Sequence, residues 1–166
     1  INSFIRKNSI EKGIIVADKG FPLKNIESEL KQKPDLHFLL PVKRDAKMVA
    51  EYDALSFDAA FHYGDKTLQG KKVALDNGGF LYSFKNTNLA GKEEKDYLDQ
   101  AIRKGTYTAE AYREKEERFG AIAFNSDLDL SLKDVYKIYK QRWILELMFS
   151  QYKGDLGLSS TRVQND

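Results

Sequence analysis

The sequence predicts an α/β fold: a parallel strand–helix–strand unit first, an antiparallel β-rich segment in the middle, and a long helix near the end. Three observations lead there. Short β-branched runs flank a helical repeat, turn-forming Gly, Asn and Asp punctuate aromatic-rich runs between about 43 and 124, and helical apolar spacing returns after Ser131. With 166 residues and 42% hydrophobic content, the chain is long enough to bury one core.

Taken in order, Ile1 to Glu11 reads as the tail of a helix and Gly13 to Ala17 as a buried strand ending at Asp18. From Leu23 to Lys33, apolar Leu23, Ile26 and Leu30 repeat at i, i+3 and i+7, with Pro22 near the helix start. Leu36 to Val42 is a second strand. The unit therefore has the length of a right-handed parallel crossover. Next come the short runs Ala59 to Tyr63, Lys71 to Leu75 and Phe80 to Phe84, separated by Tyr63-Gly64-Asp65 and Asp76-Asn77-Gly78-Gly79, a pattern of antiparallel hairpins. Leu89 to Gly105 and Tyr107 to Arg118 carry Glu and Lys at helical spacing and read as solvated helices. Gly120 to Phe124 is another strand. Ser131 with Asp134 three later has the form of a capping box opening a helix that continues to about Lys153.

Composition limits the chemistry. Lys and Arg number 27 against 25 Asp and Glu, a net charge of +2, so any nucleic-acid surface must be local. The absence of Cys excludes disulfides, thiol catalysis and Cys-held metals, and is compatible with a reducing compartment. The two His, His37 and His62, form no metal-ligand spacing, so carboxylates must carry any metal. No apolar run reaches the roughly 20 residues of a membrane span and the opening has no signal-peptide pattern, so a soluble chain without a membrane partner is expected.

The last helix holds the candidate site. At about 100° per residue, Tyr139, Arg142, Glu146 and Lys153 fall within roughly 60° of one another. Trp143 and Leu147 flank this stripe on one side, Leu145 and Phe149 on the other. A charged line set in an apolar surface requires partners. Arg142 and Glu146 also suit an ordinary i,i+4 ion pair, although Arg preceding Glu is the less favourable order. Asp18, at the carboxyl end of a strand in an α/β unit, stands where ligands and metals gather. It equally suits a helix cap. Two carboxylates from distant segments are what a hard cation such as Mg²⁺ requires, and two-metal phosphoryl transfer uses such a cage.

The run Tyr139-Lys140-Gln141-Arg142-Trp143-Ile144-Leu145-Glu146, continuing to Lys153, reproduces a Y-x2-R-x3-E-x6-K signature. With it the chain resembles the DDE transposases of bacterial and archaeal insertion sequences. Val16-Ala17-Asp18-Lys19-Gly20-Phe21 is similar to the family's D-x-G-F segment around the second catalytic Asp. The resemblance covers essentially the whole chain. It implies a partial ribonuclease-H-like core with a β-rich insertion: one partial catalytic domain over 1–166, with core pieces 1–42 and 125–166 and an insertion with helices at about 43–124.

The same resemblance implies that Asp18 and Glu146 are the second and third catalytic carboxylates, holding two Mg²⁺ ions, and that Tyr139, Arg142 and Lys153 position DNA phosphates. The partners implied are transposon ends and target DNA, with a homodimer as the active complex, in the cytoplasm and on the nucleoid. The first Asp of such a triad lies on an earlier strand, yet the only acidic residue before Asp18 is Glu11, outside any strand pattern. The chain is therefore expected to be a carboxyl-proximal catalytic fragment, inactive alone, whose strand at Gly13 to Ala17 exposes an edge prone to self-association. Two alternatives remain open from the residues: another ribonuclease-H-like nuclease, or a non-catalytic DNA-binding or assembly module.

Overall fold

The computed structural model describes residues 12–17, 30 and 33–142. The predicted helices at either side of Asp18, and the last helix beyond residue 142, lie outside them. Six strands form one sheet in the order β1-β2-β6-β5-β4-β3. They are β1 (Gly13–Val16), β2 (Leu36–Val42), β3 (Ala59–Tyr63), β4 (Lys66–Ala74), β5 (Phe80–Asn86) and β6 (Ala121–Ser126). The helices are α1 (Lys47–Glu51), α2 (Thr87–Lys104), α3 (Ala109–Glu116) and α4, described over 132–142.

β1 and β2 are parallel, as the strand–helix–strand pattern predicts, with Gly13 opposite Leu36 and Val16 opposite Leu39. All other pairings are antiparallel. The β3–β4 hairpin turns on Gly64-Asp65, with Tyr63 opposite Lys66, and Gly64 takes the left-handed φ of 61° that such a two-residue loop needs. The β4–β5 turn is closed by Gly78 N–H to Leu75 O (3.0 Å) and by Gly79 N–H to the Asn77 side-chain oxygen (3.0 Å).

β6 joins the two halves. It lies between β2 and β5, pairing Phe124 with Pro41 on one side and with Tyr82 on the other. The β-rich middle segment thus continues the sheet that the parallel unit begins.

Two faces result from strand alternation. One carries Val16, Leu39, Leu68, Tyr82, Phe84 and Phe124 and is covered by α4 through Leu132, Val135, Tyr136 and Tyr139. On the other, Val49 of α1 and Ala54 pack on Leu75, Leu81 and Ala123, while Leu36, Phe38 and Leu40 of β2 pack with Ala17 and Leu30. The meander aromatics are chiefly core. Phe84 is fully buried, with Tyr136 (5.4 Å between ring centroids), Phe61 (6.1 Å) and Phe124 (6.2 Å) around it.

α2 begins at Asn86, whose side chain accepts from Asn88 N–H (3.1 Å) and Leu89 N–H (3.2 Å), and ends at Gly105 in the left-handed conformation. A forked ion pair fastens it to the end of β2: Arg44 donates to both Glu93 oxygens, at 2.6 and 2.8 Å, and to Arg118 O at 2.9 Å. Glu93 also accepts from Gly120 N–H at 2.8 Å. The sequence pattern does not announce α1, because its five residues carry no side-chain cap and too short a repeat to register.

Candidate active site

The site is built around α4, and residues 127–131 aim that helix. Asp127 accepts from Phe38 N–H and pairs with His37 Nδ1, both at 2.9 Å, tying the exit of β6 to β2. The Tyr82 hydroxyl donates to Leu128 O (2.7 Å) and accepts from Leu130 N–H (2.9 Å). Lys72 donates to Leu130 O (3.1 Å), pairs with Asp129, and lies 4.7 Å from the Phe80 ring centroid. The hydrogen bond to Asp129 raises the Lys72 pKa above its ordinary value. Ser131 caps the helix as expected, Asp134 N–H donating to Ser131 Oγ (3.2 Å), and the Asp134 carboxylate accepts from the Ser131 hydroxyl (2.6 Å) where a full capping box would engage the Ser131 N–H.

From that anchor α4 crosses the sheet. Leu132 sits over Gly70 of β4, where an added Cβ would lie 3.2 Å from its methyl carbons. Tyr136 meets Tyr63 of β3 at 5.1 Å and Phe84 of β5 at 5.4 Å between ring centroids. Tyr139 meets Phe124 of β6 at 4.9 Å. Seven residues of helix therefore span two strands, advancing toward β2 and β1.

Of the five residues singled out from the sequence, two are described. Tyr139 is half-buried, its ring packed on Phe124 and Tyr136. Arg142, one turn further, is also half-buried. Asp18, Glu146 and Lys153 lie outside the described residues. Among the described residues, no cluster of three or more His, Asp or Glu could hold a metal ion.

One cation on α4 escapes the sequence pattern. Lys140 lies over the rings of Tyr139 (5.1 Å) and Tyr136 (5.4 Å). Burial, and secondarily the charge of Lys66, lowers its pKa. Burial also pushes the Tyr136 phenol up to about 12. Lys140 sits between Tyr139 and Arg142 in sequence, so its signal lies in the same run, on a face that the motif spacing does not mark.

Comparison with known proteins supplies the decisive observation: a family model described as the transposase DDE domain matches residues 3–166. The chain belongs to that family. Membership implies transposase activity on DNA, and the family's chemistry uses a divalent metal. No curated protein and no solved structure matches the chain. Among the described residues, no helix of this transposase domain is long and apolar enough to cross a membrane.

Proposed function

We propose that this chain is the carboxyl-proximal catalytic part of a DNA transposase that cleaves transposon ends and joins them to target DNA by Mg²⁺-dependent phosphoryl transfer. Asp18 and Glu146 are its second and third metal-binding carboxylates. Tyr139, Arg142 and Lys153 hold DNA phosphates. Homodimers form the active complex.

The observation that carries this reading is the path of α4. From Leu132 over β4 to Tyr139 over β6, seven residues, about 10.5 Å of helix, cross two strand spacings of about 4.8 Å each. Seven more residues reach Glu146, and two more strands in the sheet order are β2 and β1. The described part of α4 is therefore directed toward β2 and β1. Val16 at the end of β1 packs in the α4 cluster, and Asp18 follows it by two positions in the sequence. Pro41 of β2 is opposite Phe124, the ring under Tyr139.

Asp18 and Glu146, as hard oxygen donors, suit Mg²⁺, which when bound would neutralise charge developing on the attacked phosphodiester. The protein's own groups orient the strand. Arg142, one turn before Glu146 on the stripe, and Lys153 contribute positive charge to the phosphates. The Tyr139 ring packs on Phe124 and fixes that residue against the sheet. A third carboxylate from an earlier strand completes the cage, so the 166 residues alone do not cleave.

The test is cleavage and strand transfer in a longer protein that supplies the third carboxylate. Glu146→Gln is expected to abolish both while leaving DNA binding intact. Lys153→Ala is expected to weaken binding and lower the salt slope by about one. Cleavage that survives Glu146→Gln, or a metal-dependent nick made by the 166-residue chain, would overturn the assignment.

A further inference from the structure

A cleft of about 380 Å³ opens at the carboxyl end of β2, away from the α4 stripe, lined by Lys43, Arg44, Asp45, Lys115, Arg118 and Phe119. Four of these six residues are cationic and one is a carboxylate. Arg44 is held by Glu93, but no carboxylate lies within ion-pair distance of Lys43, Lys115 or Arg118 among the described residues. Lys47 and Lys95 are paired locally, with Glu51 (2.7 Å) and Asp99 (2.5 Å). A cation near the end of α3 also favours that helix's own dipole, which accounts for Lys115. It does not account for Lys43 and Arg44, which arrive from β2.

The cleft is built and not incidental. Its floor is the buried ring of Phe119, packed on Tyr97 (5.7 Å) and Tyr112 (6.2 Å). The Lys115 ammonium lies over the Tyr97 ring, 4.7 Å from its centroid. The Arg44–Glu93 fork and the Arg44 bond to Arg118 O hold the two walls together. Three cations without carboxylate partners around a fixed concavity raise the local potential and favour a polyanion.

We propose that this cleft is a second DNA site, in which Lys43, Lys115 and Arg118 bind the sugar-phosphate backbone outside the catalytic stripe. Its place in the fold supports that occupant. β1 and β2 are parallel, so Lys43 leaves β2 at the same end of the sheet at which Asp18 follows β1. A strand seated at that end can run on into the cleft. The inference rests on DNA as the family's substrate and, for the path of the strand, on the proposed role of Asp18; it does not draw on Glu146.

The test is fluorescence anisotropy of a labelled duplex oligonucleotide bound to the 166-residue chain, with chelator present, from about 50 to 200 mM salt. Lys43→Gln/Lys115→Gln/Arg118→Gln is expected to lower the slope of log K against log salt by about two to three, each phosphate no longer neutralised accounting for about 0.9. The paired lysines serve as the control: Lys47→Gln/Lys95→Gln should leave the slope unchanged. All three replaced side chains are exposed, and an unchanged circular-dichroism melt confirms folding. The single variant Lys43→Gln, outside any helix, should lower the slope by about one. An unaltered slope in the triple variant, an equal loss in the control, or no DNA binding by the chain would overturn the proposal. So would displacement of the DNA by polyglutamate at matched charge, which would indicate an acidic polypeptide as the occupant. Because metal is absent and the readout is binding, failure here is distinct from failure of the Glu146 assignment.

Discussion

The meander β3–β6 and the parallel corner β1–β2 are parts of one sheet, yet they are stabilised differently. In the meander every strand is joined to the next through the chain, and both faces of β5 are covered, with Leu81, Tyr82 and Phe84 fully buried. β1 has only four residues, pairs only with β2 among the described residues, and leaves Ile14 40% exposed. The better-covered part of the sheet is therefore the meander, whereas β1 rests on one neighbour among the described residues.

Substitutions on the two sides put this contrast to the test. The largest effect is expected for Phe84→Ala, which removes the ring shared by Phe61, Phe124 and Tyr136 and should cost about 3–5 kcal/mol in denaturant unfolding. If it costs no more than a substitution in β1, the meander is not the dominant core. Gly120→Ala comes next: Gly120 has a φ of 68°, and a Cβ there would collide with the Asn86 carbonyl oxygen and Ala90. Backbone strain of this kind costs about 1–3 kcal/mol, visible as a lowered Tm.

Glu93→Gln replaces the charged fork to Arg44 by a neutral contact and is expected to cost about 1–2 kcal/mol, because the pair is only half-buried. Tyr112 and Tyr136 extend the comparison to pH. The Tyr112 phenol is raised to about 12 by its hydrogen bond to Glu94, and that of Tyr136 to about 12 by burial. Both are neutral acids held protonated by the fold. Their stabilisation is complete below pH about 10, the ordinary value, and is lost as pH rises toward 12. Phenolate absorbance in a pH titration should show two late-titrating tyrosines, and Tyr112→Phe should remove one. The smallest stability effect belongs to Ile14→Lys at the edge of β1, expected within about 0.5 kcal/mol. Its signature is instead reduced self-association in sedimentation, if the outer edge of β1 pairs between copies.

Short-range signals carry through to the fold. The Gly64-Asp65 hairpin, the strand Leu36–Val42, the Gly105 helix end and the Ser131 cap each occupy a few consecutive residues whose preferred backbone geometry survives in the structure. β4 begins at Lys66, five residues before the expected start at Lys71, because Lys-Thr-Leu-Gln-Gly is too polar to announce a strand. Its pairing with β3 and β5 overrides that weak propensity. The spacing of Tyr139, Arg142, Glu146 and Lys153 is legible because periodicity and motif spacing are linear properties of the chain.

What the chain's order of residues establishes, then, is the succession of elements, the turn positions, the α/β class and the transposase signature. The merging of the middle segment with the parallel unit is decided by β6, which inserts between β2 and β5. The anchoring of α4 by Tyr82 and Lys72 belongs to the same class, as does the convergence of Lys43, Lys115 and Arg118 on one cleft. Those contacts join residues far apart in the chain, and no local preference encodes which distant partner a strand edge, a hydroxyl or a cation will meet. That choice is made by the burial of both sheet faces at once, which only the folded chain can satisfy.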